Sequence, residues 1–299
     1  MNLTKTALAA LNTAFNVAFN ERLTGVETTY NRIAMVVKST TRTQAYPRLS
    51  EMGPMREWIG ERYVERLETN GFVITNRKFE KTIAVSVDDI ADDQVGLYTP
   101  IVQDMAQVAA ELPDDLVWDQ LERGFAHEHY DGQMFFDTDH PVVNELGREV
   151  SVSNFGGGTG PAWYLIDDSR AIKPMIFQDR QAPQITPKTS LTDDNVFDND
   201  EFVWGAKRRC AAGFGAWQLI YASRQPLTAE SYEAARVAMS TARGHRGRKL
   251  NLKPKLLVVP SPLEGAALEL LNAERNAAGA TNVWRNTAAL HVESRLTLI

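Results

Sequence analysis

Residues 41–70 constrain this chain more than any other stretch. Pro47, Gly53, Pro54 and Gly60 break the segment, and charges crowd the run from Arg56 to Glu68. A stretch this polar and this interrupted reads as turn and loop, not as a core element. Yet Tyr46, Leu49, Trp58, Ile59 and Tyr63 lie within it. Aromatics in a polar excursion mark a segment expected to bind something. The competing reading is an ordinary surface hairpin, because residues 72–75 and 82–87 follow as strands.

The rest of the chain must supply the core. With 299 residues it is one large domain or two smaller ones, and 43% apolar with 23% charged residues is globular composition. The single cysteine, Cys210, excludes an internal disulfide. Residues 1–20 make a poor targeting segment, with Asn12, Asn16 and Asn20 set among the apolar residues and no small-residue cleavage pattern. No window approaches eighteen consecutive apolar residues, so no membrane partner is expected. A net charge of −6 argues against a dedicated nucleic-acid binder. Of the 32 basic residues, ten are Lys and the other 22 Arg, a bias that suits interfaces and equally suits base composition.

Periodicity places the elements. Thr4 caps a helix over 3–23, with Leu8, Leu11, Phe15 and Phe19 on one stripe. That stripe docks on the chain's own core or on a neighbour. A helix over 97–124 groups Leu97, Ile101, Met105, Val108, Ala109 and Leu112, and Pro113 followed by Asp114 and Asp115 restarts or kinks it. Residues 125–162 are loop-rich. Strands follow at Trp163–Ile166, Met175–Phe177, Glu201–Ala206 and Phe214–Ala222, with an acidic turn from Asp193 to Asp200. The last part is an α/β unit. Thr228 caps a helix to about Arg243, with Leu227 and Tyr232 as a hydrophobic staple. Lys255–Val259 is a buried strand. Ser261-Pro262-Leu263-Glu264 reads as a capping box for a helix that buries Leu263, Ala266, Ala267, Leu270 and Leu271 and ends near Gly279. Leu290–Val292 and Leu296–Ile299 close the chain as strands.

Four stretches invite a chemical reading. His127, His129 and His140, with Asp131, Asp137 and Asp139, have the donor types for a divalent metal. However, they lack the helical His-Glu-x-x-His spacing, and His127 and His129 would point to opposite sides of a strand. Gly156-Gly157-Gly158-Thr159-Gly160 lacks the Gly-Lys-Ser/Thr ending of a phosphate loop, and Pro161 removes a donor. Cys210 follows Lys207, Arg208 and Arg209, which lower a thiol pKa, but in a strand it is expected to be a packed core residue. Arg243 to Lys249 is the one dense basic run, expected as a solvated loop after a helix end, with DNA contact as the alternative. No catalytic, metal or cofactor site is expected from any of these.

An ordered set of short motifs resembles one family. It includes Arg56-Glu57-Trp58-Ile59-Gly60, Tyr130-Asp131-Gly132-Gln133 and Phe135-Phe136-Asp137-Thr138-Asp139-His140-Pro141. It continues through Ala162-Trp163-Tyr164-Leu165, Lys173-Pro174-Met175-Ile176-Phe177-Gln178-Asp179-Arg180, Gly213-Phe214-Gly215-Ala216-Trp217-Gln218 and Leu257-Val258-Val259-Pro260. It ends in the run from Ala267 to Asn282. Together these are similar to the major head subunit of Mu-like phages, gene product T, from about residue 30 onward.

The resemblance implies an α+β chain of the Hong Kong 97-type phage major capsid fold. It implies an N-terminal arm (1–40), an extended E-loop (41–84), a peripheral domain with spine helix (85–130), and an axial domain (228–299). The strand-rich block 131–227 is then peripheral, in permuted order. The implied function is a major capsid protein, not an enzyme. It self-assembles as hexamers and pentamers of an icosahedral shell around double-stranded phage DNA, in the virion, after assembly in the bacterial cytoplasm. Implied partners are further copies of the chain, a scaffolding protein and portal, a decoration protein, and DNA touched non-specifically. The start at Met1 without a long helical pro-segment suits a separate scaffolding protein. No Lys, Asn and acid are matched to the isopeptide cross-link of the namesake phage. Phe15, Phe19, Tyr46, Arg56, Trp58, Ile59 and Tyr63 are the expected inter-subunit contacts. The alternatives are an encapsulin-like compartment of the same fold and a metal-dependent enzyme using the 127–140 cluster.

Overall fold

A computed structural model describes residues 4–47, 55, 57, 58, 60–62, 71–92, 95–275 and 278–296. Helix α1 (Lys5–Gly25) begins where the sequence places it, with the Thr4 hydroxyl accepting from the Ala7 N–H at 3.2 Å. Leu8, Leu11, Phe15 and Phe19 are all buried. Strands β1 (Ala34–Lys38) and β2 (Thr43–Tyr46) follow, then β3 (Phe72–Thr75) and β4 (Arg77–Ser86). A short helix α2 (Val87–Ala91) leads into α3 (Val95–Glu122), the longest element at 28 residues.

Helix α3 corrects two expectations. It runs through Pro113 without stopping. Proline there has no N–H for the Ala109 carbonyl. Arg208 supplies the missing donor, its Nη1 lying 3.1 Å from the Ala109 oxygen. Asp114 and Asp115 therefore do not open a helix. The Asp114 carboxylate instead accepts from the backbone N–H groups of Thr29 (2.9 Å) and Tyr30 (2.7 Å), and Asp115 pairs with Arg295. The expected apolar face is also rotated. Val102, Met105, Ala106, Ala110, Val117, Trp118 and Leu121 point inward, while Leu97, Ile101 and Val108 are exposed. Apolar residues surround this helix on most sides, so spacing alone does not choose the buried stripe.

The remaining elements are β5 (His140–Val143), β6 (Glu149–Val152), β7 (Phe155–Gly158), β8 (Trp163–Ile166) and β9 (Met175–Lys188). Next come α4 (Asp194–Asn199), β10 (Glu201–Phe214), β11 (Ile220–Arg224), α5 (Ala229–Thr241), β12 (Leu256–Pro260), α6 (Glu264–Asn272) and β13 (Ala289–Glu293). Thr228 caps α5 in a reciprocal box with Ser231. The box expected at Ser261 does not form. Residues 261–263 make a single 3-10 turn, α6 has no side-chain cap, Ala266 is exposed, and the helix stops at Asn272. Leu296 lies outside a strand, and 297–299 are outside the described residues.

Two sheets organise the chain. The first has the order β1-β9-β10-β4, with β1 parallel to β9 and the other pairs antiparallel. Helices α1 and α3 cover one face. Phe15 meets Trp204 edge-on at 5.0 Å, and Asn12 accepts from the Trp204 indole at 2.9 Å while donating to Thr189 at 3.0 Å. The second sheet has the order β13-β12-β8-β11-β7. Its central strands β8 and β12 are buried on both faces, as a continuous apolar run requires. Trp163, Leu165, Leu257 and Val259 face α5 and α6; Tyr164, Ile166, Leu256 and Val258 face Trp118, Phe135, Phe136 and Trp217. Of residues 131–227, strands β7 to β11 are divided between these sheets. Strands β9 and β10 belong to the first sheet, while β7, β8 and β11 join the sheet of 228–299. Strand patterning reports burial, and the partner strand is chosen by long-range packing.

Candidate assembly surfaces

The polar segment is flanked by a paired base. Strands β2 and β3 pair in register from Thr43–Thr75 to Tyr46–Phe72. The Tyr46 and Phe72 rings stack at 5.3 Å, and the Tyr46 hydroxyl donates to Gln178 Oε1 at 2.8 Å. Burial pushes the Tyr46 phenol up to about 12, so it stays a donor. Gly71 closes the base. A Cβ there would sit 1.6 Å from the Tyr46 carbonyl oxygen, a contact only glycine permits. Within the segment that this clamp brackets, Trp58 is 67% exposed, with the Arg62 guanidinium 4.5 Å above its ring and its indole N–H donating to Gly60 O at 2.8 Å.

The expected contact residues separate accordingly. Phe15 and Phe19 lie in the chain's own core, because α1 docks on α3 and the first sheet. Tyr46 is buried on Gln178 and Ile176. These three are used within the subunit in this structure. Trp58 is presented to the outside, and Arg56, Ile59 and Tyr63 lie outside the described residues. The acidic turn from Asp193 to Asp200 joins β9 and β10, and one residue in it carried no sequence signal. Its tip carries Phe197, 89% exposed. A lone aromatic among six acids and amides gave no periodic signal to find it by.

The chemical candidates are structural. His140 is buried, stacks on Trp217 at 3.8 Å, and places its ring nitrogens 2.7 Å from Asp131 Oδ2 and 3.1 Å from Asn154 Oδ1. Burial alone would raise the Asp131 carboxyl, but the His140 hydrogen bond and charge hold it below the usual range. His129 packs among Phe72, Tyr130, Phe135 and Phe214, with Nε2 2.9 Å from Gly215 O. Burial pulls its pKa down to about 4. His127 instead caps back onto Arg123 O at 3.3 Å. The three imidazoles serve different partners, and no metal-ligating cluster occurs among the described residues. Cys210 is buried and its thiol is pushed up to about 11 by that burial, which disables it as a nucleophile. Gly156, Gly157 and Gly158 lie in β7, parallel to β11; a Cβ on Gly158 would meet the Arg224 backbone at 2.3 Å. The basic run folds on itself, with Arg243 bridged to Lys249 and its Nη1 3.4 Å from Gly247 O. Among the described residues no helix is long and apolar enough to cross a membrane.

The architecture has solved counterparts. It is similar to the chain in the procapsid of bacteriophage JBD30, with a TM-score of 0.89 and 39% identity over 98% of this chain and 100% of that one. It is also similar to the JBD30 capsid decorated with minor capsid protein trimers, at TM-score 0.77 and 29% identity over 92% and 93% of the two chains. These define a tailed-phage major capsid protein of the Hong Kong 97-type fold. In sequence the chain is 42% identical to the major capsid protein of Escherichia phage Mu over 289 residues, 95% of both chains. The model of the Mu-like prophage major head subunit gpT matches residues 8–296, and the chain belongs to that family. Its members are structural proteins of the virion capsid, not enzymes.

Proposed function

We propose that copies of this chain assemble as hexamers and pentamers into an icosahedral shell enclosing double-stranded phage DNA. The observation that carries this reading is the β2–β3 clamp between Tyr46 and Gly71, at the base of a segment that carries an exposed Trp58. In this reading residues 41–84 are the E-loop and α3 is the spine. Residues 1–40, with α1, are the N-terminal arm; β9 and β10 with α3 are peripheral, and the second sheet with α5 and α6 is axial. The loop lies on a neighbouring copy and buries Trp58 there. Interface burial contributes about 25 cal/mol per Å² before ordering costs, so a loop that orders on assembly adds little to one subunit and much to a shell. A scaffolding protein and portal act during assembly, and a decoration protein binds the finished surface. The net charge of −6 discourages tight adhesion to packaged DNA, leaving local, sequence-independent contacts. Electron microscopy of the expressed protein tests the reading, with the scaffolding protein added if needed. Closed shells or capsomers are expected. Monomers persisting at all concentrations refute it.

A further inference from the structure

We infer that the acidic tip of the β9–β10 hairpin of one copy plugs a basic-rimmed apolar hole between α3 and β4 of the next, with Phe197 as the plug. The tip is a preformed knob. Asn195 Nδ2 reaches the carbonyls of Lys188 (3.2 Å) and Glu201 (2.5 Å), tying α4 to both strand ends. Val196 packs on the α1 layer, which turns Phe197 outward. Asp194, Asp198 and Asp200 surround it, and none makes an ion pair among the described residues.

The hole has the complementary properties. It is a cavity of about 130 Å³ lined by Phe79, Val108, Ala109, Leu112, Pro183 and Ala206. It is half open to solvent, and since an enclosed apolar cavity of roughly 150 Å³ accommodates benzene, it has room for part of a phenyl ring with the remainder at its mouth. Val108 stands exposed at its edge, an apolar side chain with no cover inside the subunit. Lys81, opposite Ala206 across the strand pair, stands on its rim and makes no ion pair among the described residues. Arg208 is committed to Ala109 O and Asp179, and Glu80, which accepts from the Thr82 hydroxyl at 2.7 Å, pairs across the strands with Lys207 on the opposite face of the sheet. Strand β4 continues the positive stretch with Arg77 and Lys78.

A chain cannot plug its own hole. From Glu201 to Lys207 is six residues of one strand, about 20 Å at the rise of a β-strand. The tip is anchored at the far end. The contact is therefore between copies and heterologous, tip to hole, each subunit giving one and receiving one. It is distinct from the loop contact at Trp58.

The inference rests on the shell reading, and the test separates the two. Phe197→Cys and Val108→Cys are introduced together into the full chain, with buried Cys210 kept, and particles are oxidised. A single exposed cysteine links two chains at most, whereas tip-to-hole contacts link many. A ladder of covalent multimers beyond dimers is expected from the double variant alone. Lys81→Glu should lower particle yield several-fold, and Asp198→Lys in the same chain should restore it. Particles that form without a ladder overturn the contact and leave the shell reading standing. So does a ladder from Trp58→Cys with Val108→Cys in its place, since the loop then fills the hole. A wild-type chain that makes no particles fails the shell reading itself.

Discussion

Pro113 removes one backbone donor, and the consequence reaches a strand almost a hundred residues away. The Ala109 carbonyl it leaves open is met by Arg208, which also lies 3.6 Å from Asp179 and over the Phe177 ring. An unmet buried acceptor costs about 1–3 kcal/mol. Arg208→Met should therefore lower unfolding stability by that order, measured by urea titration. Pro113→Ala restores a backbone donor to the same carbonyl. The double variant should lose less than the sum of the singles, and strict additivity would show that the two residues do not share this acceptor. Thr228→Ala tests a simpler residue: loss of a capping box should cost about 1 kcal/mol, read as a shift in the urea midpoint at unchanged slope.

At the scale of elements, the clamp at Gly71 makes the loop separable from the body. Tyr46 and Gly71 already touch, so excising 48–70 and joining Pro47 to Gly71 by a short turn leaves the Tyr46–Gln178 and Tyr46–Phe72 contacts in place. The variant should fold with an unchanged circular dichroism spectrum and build no shells. Normal shells from it would remove the E-loop assignment. An excision starting at residue 44 tests less cleanly, because it takes buried Tyr46 from the core. The elements themselves were legible where local chemistry decides them. α1 and α5 start at their caps, and β8 matches its apolar run residue for residue. They were illegible where distant residues decide. Pro113 stays helical because Arg208 serves Ala109, and β9 and β10 extend to fourteen residues each by pairing with one another. The site divides the same way. Trp58 stood out as an aromatic in a polar run, while the hole beside Val108 exists only once β4, α3, β9 and β10 converge.

For the molecule as a whole, buried titratable groups tie the layers together and set the acid limit of the fold. His129 sits where the β2–β3 base meets the aromatic core, and its pKa falls from 6.5 to about 4 through burial. The unfolded chain then binds the extra proton, so this stabilisation is full above pH 6.5 and is lost as pH falls toward 4. Glu293, buried where the C-terminal strand meets Thr29 and Arg295, is the second group. Burial would raise its pKa, but His291, the Arg295 N–H and the Arg295 charge outweigh it, and the value is lowered. Asp131 behaves likewise beside His140. Their contributions are present above the usual carboxylate range and disappear below it. Asp114 works the other way: burial raises its pKa against the Thr29 and Tyr30 hydrogen bonds, so acidification relieves it. Asp114 opposes the other three in sign. Unfolding free energy of the dissociated subunit should thus fall in two stages, first between pH 6.5 and 4 by on the order of 2–3 kcal/mol, then again below about 4. His129→Phe keeps a ring in the aromatic cluster and removes the titration. It should flatten the first stage while leaving the second. A first stage of undiminished slope in that variant would place the acid-sensitive proton elsewhere.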